Sequence, residues 1–289
     1  MKLAEFFNFY IDHKRRDLTI NAMSMDFEGN VFDYFGGQND LMEGNIKFVG
    51  DASKRIREDY LRILRYFRFM ARFGKLELDK WIGTPEFQAI EENKAGLDQI
   101  SGERIWSEFS KILALPGSGK VVQAMRTVGV MRVLGLSWSS SSYEFISESS
   151  DALVNLATLV YGDEELDVLK NRWKVSTNEY RSVEFLKELQ LPFLLEKNVS
   201  FDDMLEWLVD GDNREDVLRF ARYQDFMFGS ADTEKLMTAT VPVFPVSGKD
   251  LIERGYKPGK ELGQKLSDMR NVWKKSNYQT DKTALMDGL

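Results

Sequence analysis

Arg62, Arg65, Arg68 and Arg72 recur at helical spacing and share an arc of roughly 120° on a helix turning about 100° per residue. The stretch from Arg57 to Phe69 holds no Gly or Pro, so its periodicity predicts one continuous helix. Ile63, Tyr66, Phe67 and Met70 fall on a neighbouring arc suited to a core. Asp59 stands one turn before the arginine row, near the expected helix start. A carboxylate offers two acceptors and a guanidinium a planar fork of donors. Side by side they match the donor and acceptor edge of a nucleobase, while the further arginines suit phosphates. The competing reading is a surface ion-pair ladder, which contributes little to stability.

The elements that position this row are legible on either side. Upstream, Ile20–Met25 and Val31–Tyr34 flank Phe27-Glu28-Gly29-Asn30 and predict a β-hairpin, which must pack on something to be stable. Asp51 or Ser53 caps the arginine helix and Gly74 ends it. Thr84-Pro85 opens another helix, and Ser101, a fair cap, opens a third that faces Ile105, Phe109, Ile112 and Leu113 inward. After a break at 115–119, Val121–Leu134 reads as helix. A serine run, Ser137–Ser142, marks a junction or long loop, and 151–225 give about four amphipathic helices without a chemical signature. Val241–Gly248 reads as extended and leads into a last helical pair. Tyr256-Lys257-Pro258-Gly259-Lys260 places glycine and lysine at a helix start, a natural phosphate seat or else a plain helix–turn–helix connection. Arg270, Lys274 and Lys275 beside Trp273 predict a basic face that lies along a nucleic-acid backbone.

Composition narrows the chemistry. With no cysteine, disulfides, thiolate nucleophiles and Cys-based zinc sites are excluded. His13 is the only histidine and is expected to be incidental. No run of 18 apolar residues is present, and residues 1–10, despite Phe6, Phe7 and Phe9, have neither the length nor the flanks of a signal peptide. The net charge of −7 is uneven: residues 1–75 balance at +2, residues 247–289 at +3, and the middle carries −12. Both ends are therefore compatible with a nucleic-acid partner.

Taken together, these stretches resemble the class II tRNA nucleotidyltransferases, the CCA-adding enzymes. Arg15–Ala22 reads RRDLTINA, Asp33–Gly37 reads DYFGG before Asp40-Leu41, Glu58–Arg62 reads EDYLR, and SGERIW contains Glu103-Arg104. Phe244–Gly248 and the Pro258-Gly259 turn are similar to that family's tail. The likeness is dense over 15–113, thin over 136–240 and clear again over 244–280. Tyr60, where bacterial members usually carry proline, is similar to the eukaryotic, mitochondrial-type branch.

The resemblance implies that Asp59 and Arg62 act as an amino-acid template for the base of incoming CTP or ATP. It implies that Arg65 and Arg68 complete the nucleotide pocket with Arg16, and that Asp17 and Asn21 hold the ribose or the pocket wall. Capping at the hairpin start is the alternative for Asp17 and Asn21. Glu103 and Arg104 would brace the helices. For the tail it implies tRNA contacts through Lys257, Lys260, Arg270, Lys274 and Lys275. Family members also carry, upstream of the RRD motif, a Gly-Gly loop and an Asp-x-Asp pair that binds two metal ions, Mg2+ by expectation. Here 14 residues precede Arg15 and hold only Asp12 and Glu5 as acids, so no catalytic or metal-binding residue is expected in the chain.

The fold expected is mainly α: helical neck, body and tail preceded by a small β-hairpin remnant of a nucleotidyltransferase head. The boundaries are 1–50 for the remnant, 51–135 for the nucleobase-reading neck, 136–240 for the body and 241–289 for the tRNA-binding tail. The function expected is CCA addition to tRNA, with this chain selecting nucleotides and holding tRNA but inactive alone. The alternatives are a non-catalytic tRNA binder and an enzyme that adds poly(A). The expected partners are tRNA, CTP, ATP and a chain that would supply the head, with no membrane. The expected compartment is mitochondrial, cytoplasmic or nuclear, since no targeting segment is visible.

Overall fold

The computed structural model of the chain describes residues 10–75, 78–136, 150–160, 162–189 and 199–288. The aromatic stretch at 6–9 and the serine run at 137–142 lie outside them. The fold is mainly α, and among the described residues it holds a single sheet of two strands. The chain divides into two compact units, Met1–Asn198 with Arg222–Ser230, and Val199–Ala221 with Ala231–Leu289.

After helical residues 10–15, the first unit forms the expected hairpin, β1 (Met23–Met25) antiparallel to β2 (Val31–Asp33), with Ser24 opposite Phe32. Its turn is built by Asp26, whose carboxylate accepts from the backbone N–H of Glu28 and Asn30, while Gly29 adopts φ +88°. The first strand is shorter than its pattern suggests, because Thr19–Asn21 forms a 3-10 turn. Leu18 instead bridges to Phe48, and Val49 N–H donates to the Asp17 carbonyl, which moors the segment to the core. Asp33 then starts helix α1 (Gly37–Glu43) by accepting from the N–H of Gly37 and Gln38. Gly37 is obligatory there, since a Cβ would stand 2.9 Å from the Thr19 carbonyl carbon.

The continuous arginine helix is corrected by the structure. Asp51 does cap helix α2 (Ala52–Glu58), but the chain turns extended at Asp59, φ −158° and ψ 106°, and a second helix, α3, runs from Arg62 to Phe73. Asp59 accepts from Leu61 N–H, a local turn that competes with helix continuation. The Tyr60 ring lies on Gly96 so closely that a Cβ there would overlap it.

Helix α4 (Leu78–Trp81) and α5 (Pro85–Asn93), capped by Thr84, lead through a 3-10 segment, Lys94–Gln99, into α6 (Gly102–Leu113). Ser101 occupies the cap position of α6, but its side chain makes no capping bond. The helix expected over Val121–Leu134 is two, α7 (Ser118–Thr127) and α8 (Val130–Leu134), separated at Gly129, φ +78°. The unit continues with α9 (Ala152–Leu159), α10 (Asp163–Asp167), a π turn at Val168–Arg172, and α11 (Thr177–Glu188). Its core is formed where α3 meets α5 and α6: Ile63, Tyr66, Phe67, Met70, Phe87, Ile105 and Phe109 are all buried. Each such side chain contributes about 1.5–3 kcal/mol through burial.

The second unit contains α12 (Phe201–Asp210), α14 (Asp232–Thr238), α15 (Gly248–Glu253), α16 (Lys260–Lys275) and α17 (Lys282–Asp287). Helix α13 (Arg214–Phe228) contributes its first part, through Ala221, to this unit and the remainder to the first. Residues 239–247 carry no regular structure, as expected, but the closing pair of helices is a trio. Val246, Leu251, Met269, Trp273, Leu285 and Met286 form the core, with Phe244, Leu266 and Tyr278 packed against it.

Candidate functional site

Three arginines of the α3 row, Arg62, Arg65 and Arg68, are each held by a carboxylate from another element, while Arg72 lies over the Phe73 ring. Arg65 Nε donates to Asp17 at 2.5 Å, and Asp17 also accepts from Asn21 Nδ2 and from Leu18 N–H. Burial pushes the Asp17 carboxyl up, but the bonds from Arg65 and Asn21 outweigh it and hold it below its ordinary range. Asp17, Asn21 and Arg65 thus form one network. The 3-10 turn at Thr19–Asn21 has no side-chain capping bond, so these two side chains serve the Arg65 network and not a cap.

Arg62 Nη1 donates to Glu58 at 2.7 Å and to the Arg55 carbonyl at 2.9 Å, and its Nη2 reaches the Arg15 carbonyl at 3.4 Å. Glu58 also receives Arg55, a buried guanidinium that in addition donates to the carbonyls of Val49 and Arg16. Both arginines keep the Glu58 carboxyl low, the bond from Arg62 most strongly. Asp59 does not bond to the Arg62 side chain: its carboxylate accepts from Arg104 at 2.8 Å and from Leu61 N–H. The two groups expected to act as a template are therefore fixed by opposite neighbours, Arg62 by α2 and Asp59 by α6. Three of the five N–H donors of Arg62 are committed, leaving two for a ligand.

Arg68 sits 2.9 Å from Glu108, a carboxylate of α6 that also pairs with Lys111, and its guanidinium lies over the Phe69 ring at 4.6 Å. Arg16 departs from the expectation. Its guanidinium pairs with Asp12 at 2.7 Å with more than half of each side chain exposed, and only its carbonyl meets the row through Arg55. His13 is buried, 2% exposed, with its ring 5.1 Å from that of Tyr34.

Arg55 and Glu108 are parts of the site that the sequence reading does not single out, and Glu58 enters it only as the first residue of the EDYLR stretch, with no role of its own. The spacing of Glu58 and Arg62, i to i+4, was a usable signal. Glu108 and Arg55 make local i, i+3 pairs with Lys111 and Glu58, but their bonds to the site reach residues 39 to 40 positions away, which spacing does not reveal. Among the described residues no three His, Asp or Glu side chains come together in a metal-holding group.

In the second unit the basic residues separate into two kinds. Lys257 and Lys260 flank the exposed Pro258-Gly259 turn at the start of α16, and Lys275 is exposed at its end. Lys274 differs from the basic face expected of it. Its side chain is 16% exposed, and its ammonium lies 2.9 Å from Glu206 and 2.6 Å from Asp210. Burial lowers its pKa, but the bonds from Asp210 and Glu206 win and raise it, so its charge is spent inside the unit. Arg270 lies over the Phe244 ring at 5.3 Å. No described helix is long and apolar enough to cross a membrane.

Two family descriptions match the chain: "Poly A polymerase head domain" over residues 4–47, and "Probable RNA and SrmB- binding site of polymerase A" over residues 86–137. The chain is 36% identical over 292 residues to the mitochondrial CCA tRNA nucleotidyltransferase 1 of Danio rerio, covering 96% of this chain and 66% of that one. It is 30% identical over 273 residues to the CCA-adding enzyme of Streptococcus sanguinis, covering 90% and 67%. The chain thus spans about two thirds of the length of the curated relatives it matches. Its fold is similar to the Bacillus stearothermophilus CCA-adding enzyme in complex with CTP, with a TM-score of 0.75 at 23% identity over 96% of this chain and 74% of that one. It is also similar to the Thermotoga maritima CCA-adding enzyme complexed with tRNA, with a TM-score of 0.60 at 22% identity over 97% and 73%. A separate chain supplying the head, and a cytoplasmic or nuclear home, find no support in these matches.

Proposed function

This chain belongs to the family of CCA-adding enzymes, and from that membership we propose that it selects CTP and ATP and holds tRNA for CCA addition at the tRNA 3′ end. The observation that carries the reading is the independent bracing of Asp59 by Arg104 and of Arg62 by Glu58. An acceptor and a donor fork held by separate partners keep their positions without a ligand, which is what a template for a nucleobase edge requires. Arg65 and Arg68, neutralised in part by Asp17 and Glu108, line the same helix and suit the polyphosphate and ribose, with Asn21 at the wall. Arg16 belongs to this pocket only if it leaves the exposed Asp12, a pair that costs little to break.

The tRNA contacts fall to Lys257, Lys260, Arg270 and Lys275, with Lys274 contributing by fastening α16 to α12. A 1–50 head remnant, 51–135 neck, 136–240 body and 241–289 tail remain the organisation we propose. The described residues carry the selecting and holding parts of the proposed activity. Mitochondria are the compartment we propose, on the names of the relatives.

The test is nucleotide and tRNA binding by the chain and by Arg62→Ala. The variant should lose its preference for CTP and ATP over UTP and GTP while tRNA affinity stays within about twofold, since the phosphate contacts that dominate RNA affinity are untouched. Equal loss of both overturns the template. Tight tRNA binding with no nucleotide binding at all favours the non-catalytic tRNA binder.

A further inference from the structure

Between residues 244–248 and helix α16 the second unit carries a groove of about 350 Å³, lined by Phe244, Val246, Ser247, Leu266, Ser267 and Arg270. Its floor is apolar, and Val246 is buried in the core beneath it. Phe244 is half-buried, its ring tilted by 57° to that of Trp273 with centroids 5.4 Å apart, and Arg270 lies across its face at 5.3 Å. Pro242 and Pro245 restrict the backbone on both sides of Phe244, so the ring is presented with little conformational freedom left to lose.

The charges around the groove point one way. Arg270 and Lys249, the residue after groove-lining Gly248, have no acidic partner among the described residues. The nearby carboxylate of Asp250 is spent on capping α15 through Ser247 and on Lys282 at 2.7 Å, which together hold its pKa down at about 2. The elements from Ser247 to the C terminus balance at +3 in a chain of −7. An aromatic face, an unpaired guanidinium on it, two serine hydroxyls and a basic surround are the parts that hold an unstacked base with its phosphate.

We propose that the Phe244–Arg270 groove is a nucleobase seat for RNA, in which one unpaired or terminal base stacks on Phe244 and its phosphate meets Arg270. The seat rests on the proposed tRNA-binding reading and deepens it. It differs from backbone recognition by lysines because a stacked base contributes affinity that salt does not screen. A base entering over Phe244 displaces only the Arg270 guanidinium, which then swings onto the phosphate. Ser247 and Ser267 lie on the groove wall within the same space; the Ser247 hydroxyl donates to Asp250 and offers its oxygen as an acceptor, and Ser267 supplies the second hydroxyl for ribose or base-edge groups.

The experiment measures tRNA binding to the 289-residue chain by fluorescence anisotropy across a salt series, with Phe244→Tyr, Phe244→Leu and Arg270→Ala. Phe244→Leu keeps an apolar side chain against the core while removing the stacking face, and circular dichroism checks that the fold is retained. It should weaken binding about tenfold, within the range expected for one stacked base, with an unchanged salt slope. Phe244→Tyr should bind within about twofold of the parent, and Arg270→Ala should weaken binding and lower the salt slope by about one. Wild-type affinity in Phe244→Leu overturns the seat and leaves the tRNA-binding reading standing. No tRNA binding by the parent chain overturns both. Self-association that Phe244→Leu abolishes, with RNA affinity intact, would give the groove to a second copy instead and likewise overturn the seat.

Discussion

Replacing Gly102 by alanine sets two local rules against each other, and the structure decides between them. Gly102 is the first residue of α6, where helix propensity favours alanine by about 1 kcal/mol. A Cβ at this position would overlap the Arg172 carbonyl oxygen and stand 2.6 Å from Trp173 Cα. Both obstacles are backbone, and neither is free to retreat. Arg172 is tied to Asp98 and to the Val133 carbonyl, each at 2.5 Å, and the Trp173 indole donates to the Leu134 carbonyl while its ring packs edge-on to Phe109. Overpacking of this kind costs about 1–3 kcal/mol or more. Because the obstacle is backbone, the cost falls at the upper end of that range, about 3 kcal/mol, and after the propensity gain of about 1 kcal/mol the net expectation is a loss of about 2 kcal/mol, a fall of about 1 M in the urea midpoint for a typical slope. A second readout follows from the site. Arg104, two residues beyond Gly102, braces Asp59, so a displaced α6 should also erode discrimination of CTP and ATP from UTP and GTP. An unchanged or raised urea midpoint in Gly102→Ala refutes the packing argument, because propensity alone would then have won.

Asp17→Asn should lower stability at pH 7 by about 1–2 kcal/mol, since it uncouples the segment before β1 from Arg65, whose side chain is 32% exposed and retains water as a partner. The Asp17 carboxyl is held below its ordinary value of about 4, so its stabilisation is present above that pH and is lost as pH falls through the folded value. Urea midpoints from pH 7 to 3 should therefore drop less steeply in Asp17→Asn than in the parent, and parallel curves would refute the coupling. Lys274→Ala should destabilise the second unit without changing the salt dependence of tRNA binding, because its ammonium serves Glu206 and Asp210. The pair Lys257→Ala and Lys260→Ala should do the reverse, lowering the slope of log K against log salt by about two with the thermal midpoint unchanged.

What was legible in the sequence was what nearest neighbours decide. Asp51, Thr84 and Gly74 bound their helices as their residue types predict, and Asp26 with Gly29 builds the turn between Met25 and Val31. Lys274 could not be placed from its neighbours, because Glu206 and Asp210, which claim it, lie 68 and 64 residues away. The break between α2 and α3 escaped for a related reason. Arg57–Phe69 is helical in every local respect, and apolar periodicity runs across Asp59 undisturbed. One local competitor was present, since an Asp can bond an N–H two residues on, as Asp59 does to Leu61, but many aspartates do so without ending a helix. Two distant contacts accompany the break here: the Tyr60 ring laid on Gly96, and Arg104 reaching Asp59 from 45 residues away. Those contacts also matter for the site. On a continuous helix Asp59 and Arg62 would sit one turn apart, well placed to bond each other and spend on themselves the donors and acceptors a base edge needs. Breaking the helix gives each its own partner and leaves part of its hydrogen-bonding capacity for a ligand. The sequence error and the proposed function therefore share one cause, a backbone conformation at Asp59 that local preference permits and tertiary contacts make definite.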